Sequence, residues 1–161
     1  MRMVSQIGRT AALLVGLCLT TSLLHAQSAT PRALPAGAIQ VRGDSAAWTA
    51  GPPTLPAGTQ MMLLEGDPRS DGIFTLRIKL PAGARLQPHW HPQHERVTVL
   101  SGLARVGFGE EFDELRMTSF GPGSFYVNPP RSNHYVWIVE ETVMQLTGVG
   151  SWELHFSNAS P

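Results

Sequence analysis

From residue 59 onward, apolar and polar side chains trade places at a period of two. Phe74, Leu76, Ile78 and Leu80 alternate with Thr75, Arg77 and Lys79, as expected of a strand with one face in a core and the other toward solvent. A strand is also predicted at Gln60–Glu65, closed by Gly66-Asp67-Pro68, and Pro81-Ala82-Gly83 turns the chain after Leu80. Further strands are predicted at 96–100, 104–108, 124–127, 134–139, 142–147 and 152–156. Short strands with Gly/Pro turns at this density predict an all-β barrel or double-sheet jelly roll. No long amphipathic helix pattern interrupts them.

The first part of the chain reads differently. Residues 1–26 carry Arg2 and Arg9, then an apolar run at 11–24, then Ala26 at the expected cleavage point. This predicts a secretory signal and an exported, periplasmic or secreted protein, with no membrane association after cleavage. The run is too short for a membrane span, although an uncleaved anchor is the alternative. Cys18 follows Leu17 rather than a small residue, which argues against a lipoprotein signal. Residues 27–58 are rich in Ala, Pro, Gly and Ser, including Gly51-Pro52-Pro53, and predict an arm with one short strand at 39–42. Trp48 in this arm is a candidate anchor on the domain or on a neighbouring subunit. Residues 59–158 form the single domain, and no internal repeat is visible.

Composition narrows the function classes. The chain has 161 residues with 12 basic and 12 acidic side chains. Cleavage removes Arg2, Arg9 and the lone cysteine, Cys18, leaving a near-neutral mature chain without thiol chemistry or disulfides. No basic patch points to nucleic acid.

The candidate chemistry lies in residues 83–102, GARLQPHWHPQHERVTVLSG. His89 and His91 share a face if the stretch is extended, and Glu95 joins them if the pleat continues. His94 has the opposite parity and is expected at the surface or behind the site. A single strand histidine is usually structural, but two histidines and a carboxylate at this spacing point to a metal. The donor set suits Fe, Mn, Ni, Co, Cu or Zn without choosing among them. One carboxylate against a divalent ion leaves a net charge of about +1, attractive to an anionic or enolate-like oxygen.

The spacing Gly83, five residues, His89-x-His91, three residues, Glu95, six residues, Gly102 resembles the first cupin motif at every position. The second motif is matched in part by Gly123, Pro129 and His134, with Arg131 in place of the turn glycine and Ile138 in place of the asparagine. The resemblance spans residues 59–158. It implies a cupin double-stranded β-helix with one divalent ion held by His89, His91, Glu95 and His134. It also implies a small-molecule substrate chelated at that ion, in dioxygenase-like, isomerase or lyase chemistry. The alternative is an exported binding or sensing module without catalysis.

Other expectations come from the flanks. The strand at 134–139 is apolar on both faces, with Tyr135, Trp137 and Val139 opposite His134. This predicts a homodimer packed sheet on sheet, or else cover by the N-terminal arm. Glu110, Glu111, Asp113 and Glu114 form either a loop supplying a general base or a solvated turn. Phe112 and Phe120 are candidate pocket caps. Arg131, with Arg85 and Arg96 behind it, is a candidate partner for a substrate carboxylate or simply a surface charge. His155 is expected at the surface.

Overall fold

The computed structural model describes residues 33–43 and 47–157. The expected leader, residues 1–26, lies outside the described residues. Residues up to Ala36 fall in a separate unit, of which 33–36 are described and exposed. From Gly37 the chain forms one compact unit.

Its described strands are β1 (Thr49–Ala50), β2 (Gln60–Glu65), β3 (Gly72–Leu80), β4 (Arg85–Trp90), β5 (Glu95–Ser101) and β6 (Ala104–Phe108). They continue with β7 (Thr118–Phe120), β8 (Phe125–Asn128), β9 (His134–Ile138), β10 (Thr142–Gly150) and β11 (His155–Phe156). One sheet has the order β1-β2-β3-β10-β5-β8 and the other β11-β4-β9-β6-β7. Every pairing is antiparallel. This is an all-β jelly roll. The single helix among the described residues is a 3-10 turn at Glu114–Arg116, capped by Asp113.

The alternation read at 74–80 is what builds the core. Phe74, Leu76, Ile78 and Leu80 are all buried, and the register lays Leu76 beside Leu146 and Ile78 beside Met144. Leu146 and Met144 in turn lie beside Val97 and Val99 of β5. Three neighbouring strands therefore present one continuous apolar floor, and each large side chain buried there stabilises the fold by about 1.5–3 kcal/mol.

Several expected elements differ. The strand predicted at 152–156 shrinks to His155–Phe156, because Ser151–Leu154 leaves the sheet and Trp152 donates its backbone N–H to Pro68 at 2.7 Å. β10 runs on to Gly150, where a side chain at residue 150 would collide with the Ser70 carbonyl. The strand expected at 39–42 is irregular coil. The arm instead contributes β1, paired with β2, and Lys79 sits over the Trp48 ring at 4.6 Å, holding Trp48 on its own domain.

Part of the outer face of β9 is covered within the chain, by a segment other than the expected N-terminal arm. Tyr135 is fully buried, with Phe112 packed against its ring at 5.0 Å and its hydroxyl donating to the Asp113 carbonyl. Arg85 and Arg105 bracket Trp137 and hold Glu114, by its carboxylate and by its carbonyl, each at 2.7 Å. The segment with the acidic run is thus a clasp over this face. A side chain at Gly107 would collide with Tyr135, so the close approach of β6 requires glycine there.

Candidate metal centre

Strand ends from both sheets meet at the site. His89 stands on β4 opposite His134, the first residue of β9. Glu95 opens β5 opposite Asn128, the last residue of β8. β4 ends at Trp90, and residues 92–94 turn the chain into the other sheet, so Glu95 arrives from a second strand rather than along one pleat. The ladder also slips between Leu86 and His89. Pro88 in the slip has no N–H to give the ladder, which makes this a natural place for a bulge. The slip lets Leu86 and His89, an odd number of residues apart, both line the interior.

All three imidazoles are fixed in one tautomer. Nδ1 of His89 faces the Gln87 carbonyl at 2.7 Å, that of His91 the Glu153 carbonyl at 2.7 Å and that of His134 the Ser132 carbonyl at 3.1 Å. A carbonyl only accepts, so each Nδ1 carries the proton and each Nε2 keeps its lone pair. The ligand atoms of the three rings lie within 4.8 Å of one another. Glu95 Oε2 stands 3.5 Å from His91 Nε2 and 3.6 Å from His134 Nε2, too far for hydrogen bonds. Asn128 Nδ2 donates to that same oxygen at 2.7 Å.

Electrostatics keep this set ready for a cation. Burial pushes the His89 pKa down to about 3, helped by the neighbouring His134, and burial also lowers that of His91. Burial alone would raise Glu95, but His134, His91 and the Asn128 amide outweigh it and hold the carboxyl at about 2. His89 and His91 are therefore held neutral beside an ionised Glu95 carboxylate.

These residues fit a metal ion. The Nε2 atoms of His91 and His134 are buried without a partner, a costly arrangement that a cation relieves. Two donors bound at about 2.0–2.2 Å to one tetrahedral or octahedral ion stand about 3.0–3.6 Å apart, which matches the spacings to Glu95. His89, His91 and His134 could hold a metal ion, with the Glu95 carboxylate alongside.

The cluster lines one part of a small cavity of about 40 Å³. Its remaining wall is mainly hydrocarbon, including Leu80, Leu86, Val97, Val136 and Leu146, with the Tyr126 hydroxyl donating to Met144 Sδ at 3.7 Å. Burial raises the Tyr126 pKa, so the phenol stays protonated. Trp152 stacks on His91 at 4.6 Å and lines the cavity beside Leu154.

The remaining candidates are elsewhere. His94 is exposed. Glu110, Glu111, Asp113 and Glu114 belong to the clasp and do not line the cavity, nor do Phe112, Phe120, Arg85, Arg96 or Arg131. His155 is half-buried against Trp90, stacked at 4.1 Å, because period-two parity fails across a segment that is not a strand. Arg131 has φ of 55°, the left-handed conformation a turn glycine would adopt, and its N–H donates to the His91 carbonyl at 2.8 Å. Ile138 is fully buried in the core. Sequence reasoning missed Asn128, Tyr126 and the Glu153 carbonyl. An Asn ending an apolar strand before Pro129-Pro130 reads as a turn residue, and a main-chain carbonyl leaves no mark on composition.

Two antiparallel sheets closing around strand-end histidines make this a cupin. Residues 36–153 match the profile of the ChrR cupin-like domain, and the chain belongs to that family. Among curated proteins, no sequence matches it significantly. Solved structures share the fold at low identity. The polyketide cyclase RemF from Streptomyces resistomycificus is 16% identical with a TM-score of 0.61, covering 75% of this chain and 86% of its own. KdgF from Halomonas sp. is 23% identical with a TM-score of 0.52, covering 68% and 93%. The DMSP lyase DddQ from Ruegeria pomeroyi DSS-3 is 20% identical with a TM-score of 0.52, covering 68% and 58%.

Proposed function

We propose that this cupin is a mononuclear metal-dependent enzyme acting on a small oxygen-rich substrate chelated at the ion. One observation carries the reading: three imidazoles locked in the same tautomer line one cavity, with the Nε2 atoms of His91 and His134 buried and unpartnered. When bound, a divalent transition ion (Fe, Mn, Ni, Co, Cu or Zn) supplies Lewis acidity toward substrate oxygens. The chain's own residues do the rest. Glu95 offsets one positive charge, Asn128 aims the carboxylate, the Tyr126 phenol keeps a proton to donate, and the hydrocarbon wall excludes water. Oxygen chemistry of the cupin dioxygenase type leads, with an isomerase or lyase reaction beside it, since the fold itself hosts many chemistries.

The position of the acidic run favours a second reading, an exported binding or sensing module. With that run on the outer face, Glu95 is the only carboxylate in the cavity wall among the described residues. The test is elemental analysis of the purified protein, then a panel of chelating substrates with and without air. Oxygen uptake supports a dioxygenase and turnover without air a lyase or isomerase, whereas tight binding without turnover replaces the enzyme by the module.

The reading extends to the protein's setting. Export is supported by the pattern of residues 1–26, and a mature N-terminus found at Met1 in expressed protein would remove it. A homodimer is supported by exposed apolar side chains on the six-stranded sheet, where Ile73 and Val149 pair directly and Leu63 and Phe125 stand on other strands. Sedimentation as a monomer at high concentration would remove that.

A further inference from the structure

We infer that the natural ligand has its oxygens gathered in one monoanionic chelating head and a short, uncharged hydrocarbon tail, which excludes polyols and dicarboxylates. The inference rests on the metal-site reading above and narrows its substrate class.

Charge defines the head. Three neutral imidazoles and the Glu95 carboxylate leave a divalent ion with one uncompensated positive charge, so a singly charged oxygen chelate closes the site at neutrality. The wall defines the tail. Among the described residues, every ionisable side chain lining the cavity apart from the Tyr126 phenol belongs to the ligand cluster, and no lysine or arginine reaches it. The arginines that a second substrate carboxylate would need are committed outside. Arg85 is paired with Glu114 and Arg131 is exposed at its turn. A second charge buried in this cavity would have no partner, and each unpaired hydroxyl of a polyol would also carry a desolvation cost.

The polar atoms available beyond the cluster are few. The Tyr126 hydroxyl is already directed at Met144 Sδ, leaving Asn128 Oδ1 and Trp152 Nε1 buried without partners. Asn128 Oδ1 belongs to the head end, because the other atom of that amide is bonded to Glu95. Away from it stand Ile78, Leu80, Leu86, Val97, Val136 and Leu146. At about 40 Å³ the cavity has room for only a few carbon atoms. The buried tail is accordingly short.

Straight-chain hydroxamates test this by calorimetry on the full chain, metal-free and zinc-loaded, because one monoanionic chelating head can carry tails of graded length. From acetohydroxamate upward, affinity for the zinc-loaded protein should rise about fourfold per methylene. The rise should stop after about three or four tail carbons, the room the cavity offers. Succinic monohydroxamate, with a terminal carboxylate, should bind at least tenfold more weakly than the alkyl hydroxamate of equal length. A series flat from acetohydroxamate onward, or a carboxylate tail bound as well as an alkyl one, overturns the inference and leaves the open metal site standing. Failure of every hydroxamate to distinguish zinc-loaded from metal-free protein overturns the metal-site reading itself, and the inference with it.

Discussion

His91 Nδ1 lies 2.7 Å from the main-chain carbonyl of Glu153, 62 residues further along the chain. The bond fixes which nitrogen of His91 faces the cavity. It also ties the C-terminal crossing to the strand end that carries the site. Replacing His91 with Ala should abolish stoichiometric metal binding while the barrel still folds, with faster amide exchange across residues 151–157. Full metal content in the purified variant, by elemental analysis, would mean the site is misassigned.

Asn128 donates to Glu95 and would act on a bound ion only through that carboxylate. Asn128→Leu keeps the volume and removes the 2.7 Å bond to Glu95 Oε2. Metal affinity should drop about 10- to 100-fold, the usual effect of losing a group that orients a ligand. Competition against a chelator of known affinity measures it, and an unchanged constant would show that Glu95 needs no such support.

Acid should destabilise the metal-free protein in two overlapping steps. His89 has a folded pKa of about 3 against an ordinary 6.5, so below pH 6.5 the unfolded chain takes up a proton the folded chain refuses. His91, lowered in the same direction, adds to this loss. Glu95, at about 2 against 4.5, contributes stability that is complete above pH 4.5 and is lost as pH falls toward 2. Each such group adds a slope of up to about 1.4 kcal/mol per pH unit within its window. Urea midpoints from pH 7.5 to 4 should fall steadily, and His89→Gln should flatten the curve between pH 6.5 and 4.5. A level wild-type profile over that range would contradict neutral burial of these rings.

Arg131 occupies a glycine's conformation. An L-residue at φ of 55° carries strain of about 1–2 kcal/mol, partly offset by the greater freedom glycine has when unfolded. Arg131→Gly should therefore be neutral to about 1 kcal/mol stabilising, whereas Arg131→Val should destabilise by more than about 1 kcal/mol. Thermal midpoints rank the three proteins, and a clearly destabilised glycine variant would assign Arg131's side chain a role.

The acidic run should be dispensable for the site. Glu110→Gln, Glu111→Gln and Glu114→Gln together should leave metal affinity within about twofold. Stability should change by less than about 1 kcal/mol, since the Arg85–Glu114 pair is half-exposed. A hundredfold loss of metal affinity in this triple variant would return the run to the cavity.

Much of the fold was legible because burial on one face of an antiparallel strand leaves a period-two trace, as at Phe74, Leu76, Ile78 and Leu80. The cluster was legible as a spacing, His89-x-His91 with Glu95 and His134, though the pleat does not continue and Glu95 comes from a second strand. What stayed hidden is work done by the main chain or by register. The slip beside Pro88 turns His89 inward, the Glu153 carbonyl sets a tautomer, and Arg131 acts through its N–H. The covering of Tyr135 by Phe112 was equally illegible, because nothing in an acidic loop's composition says which surface it docks on.

The crossing at residues 151–157 has a practical bearing on how the protein is handled. Glu153 meets His91, Ser157 meets Pro88 and Asn133, and Trp152 lies flat on the His91 ring, so this segment is stitched to the candidate metal site at several points. Deleting residues 151–157 would break those contacts and reach directly the ring whose Nε2 faces the candidate site.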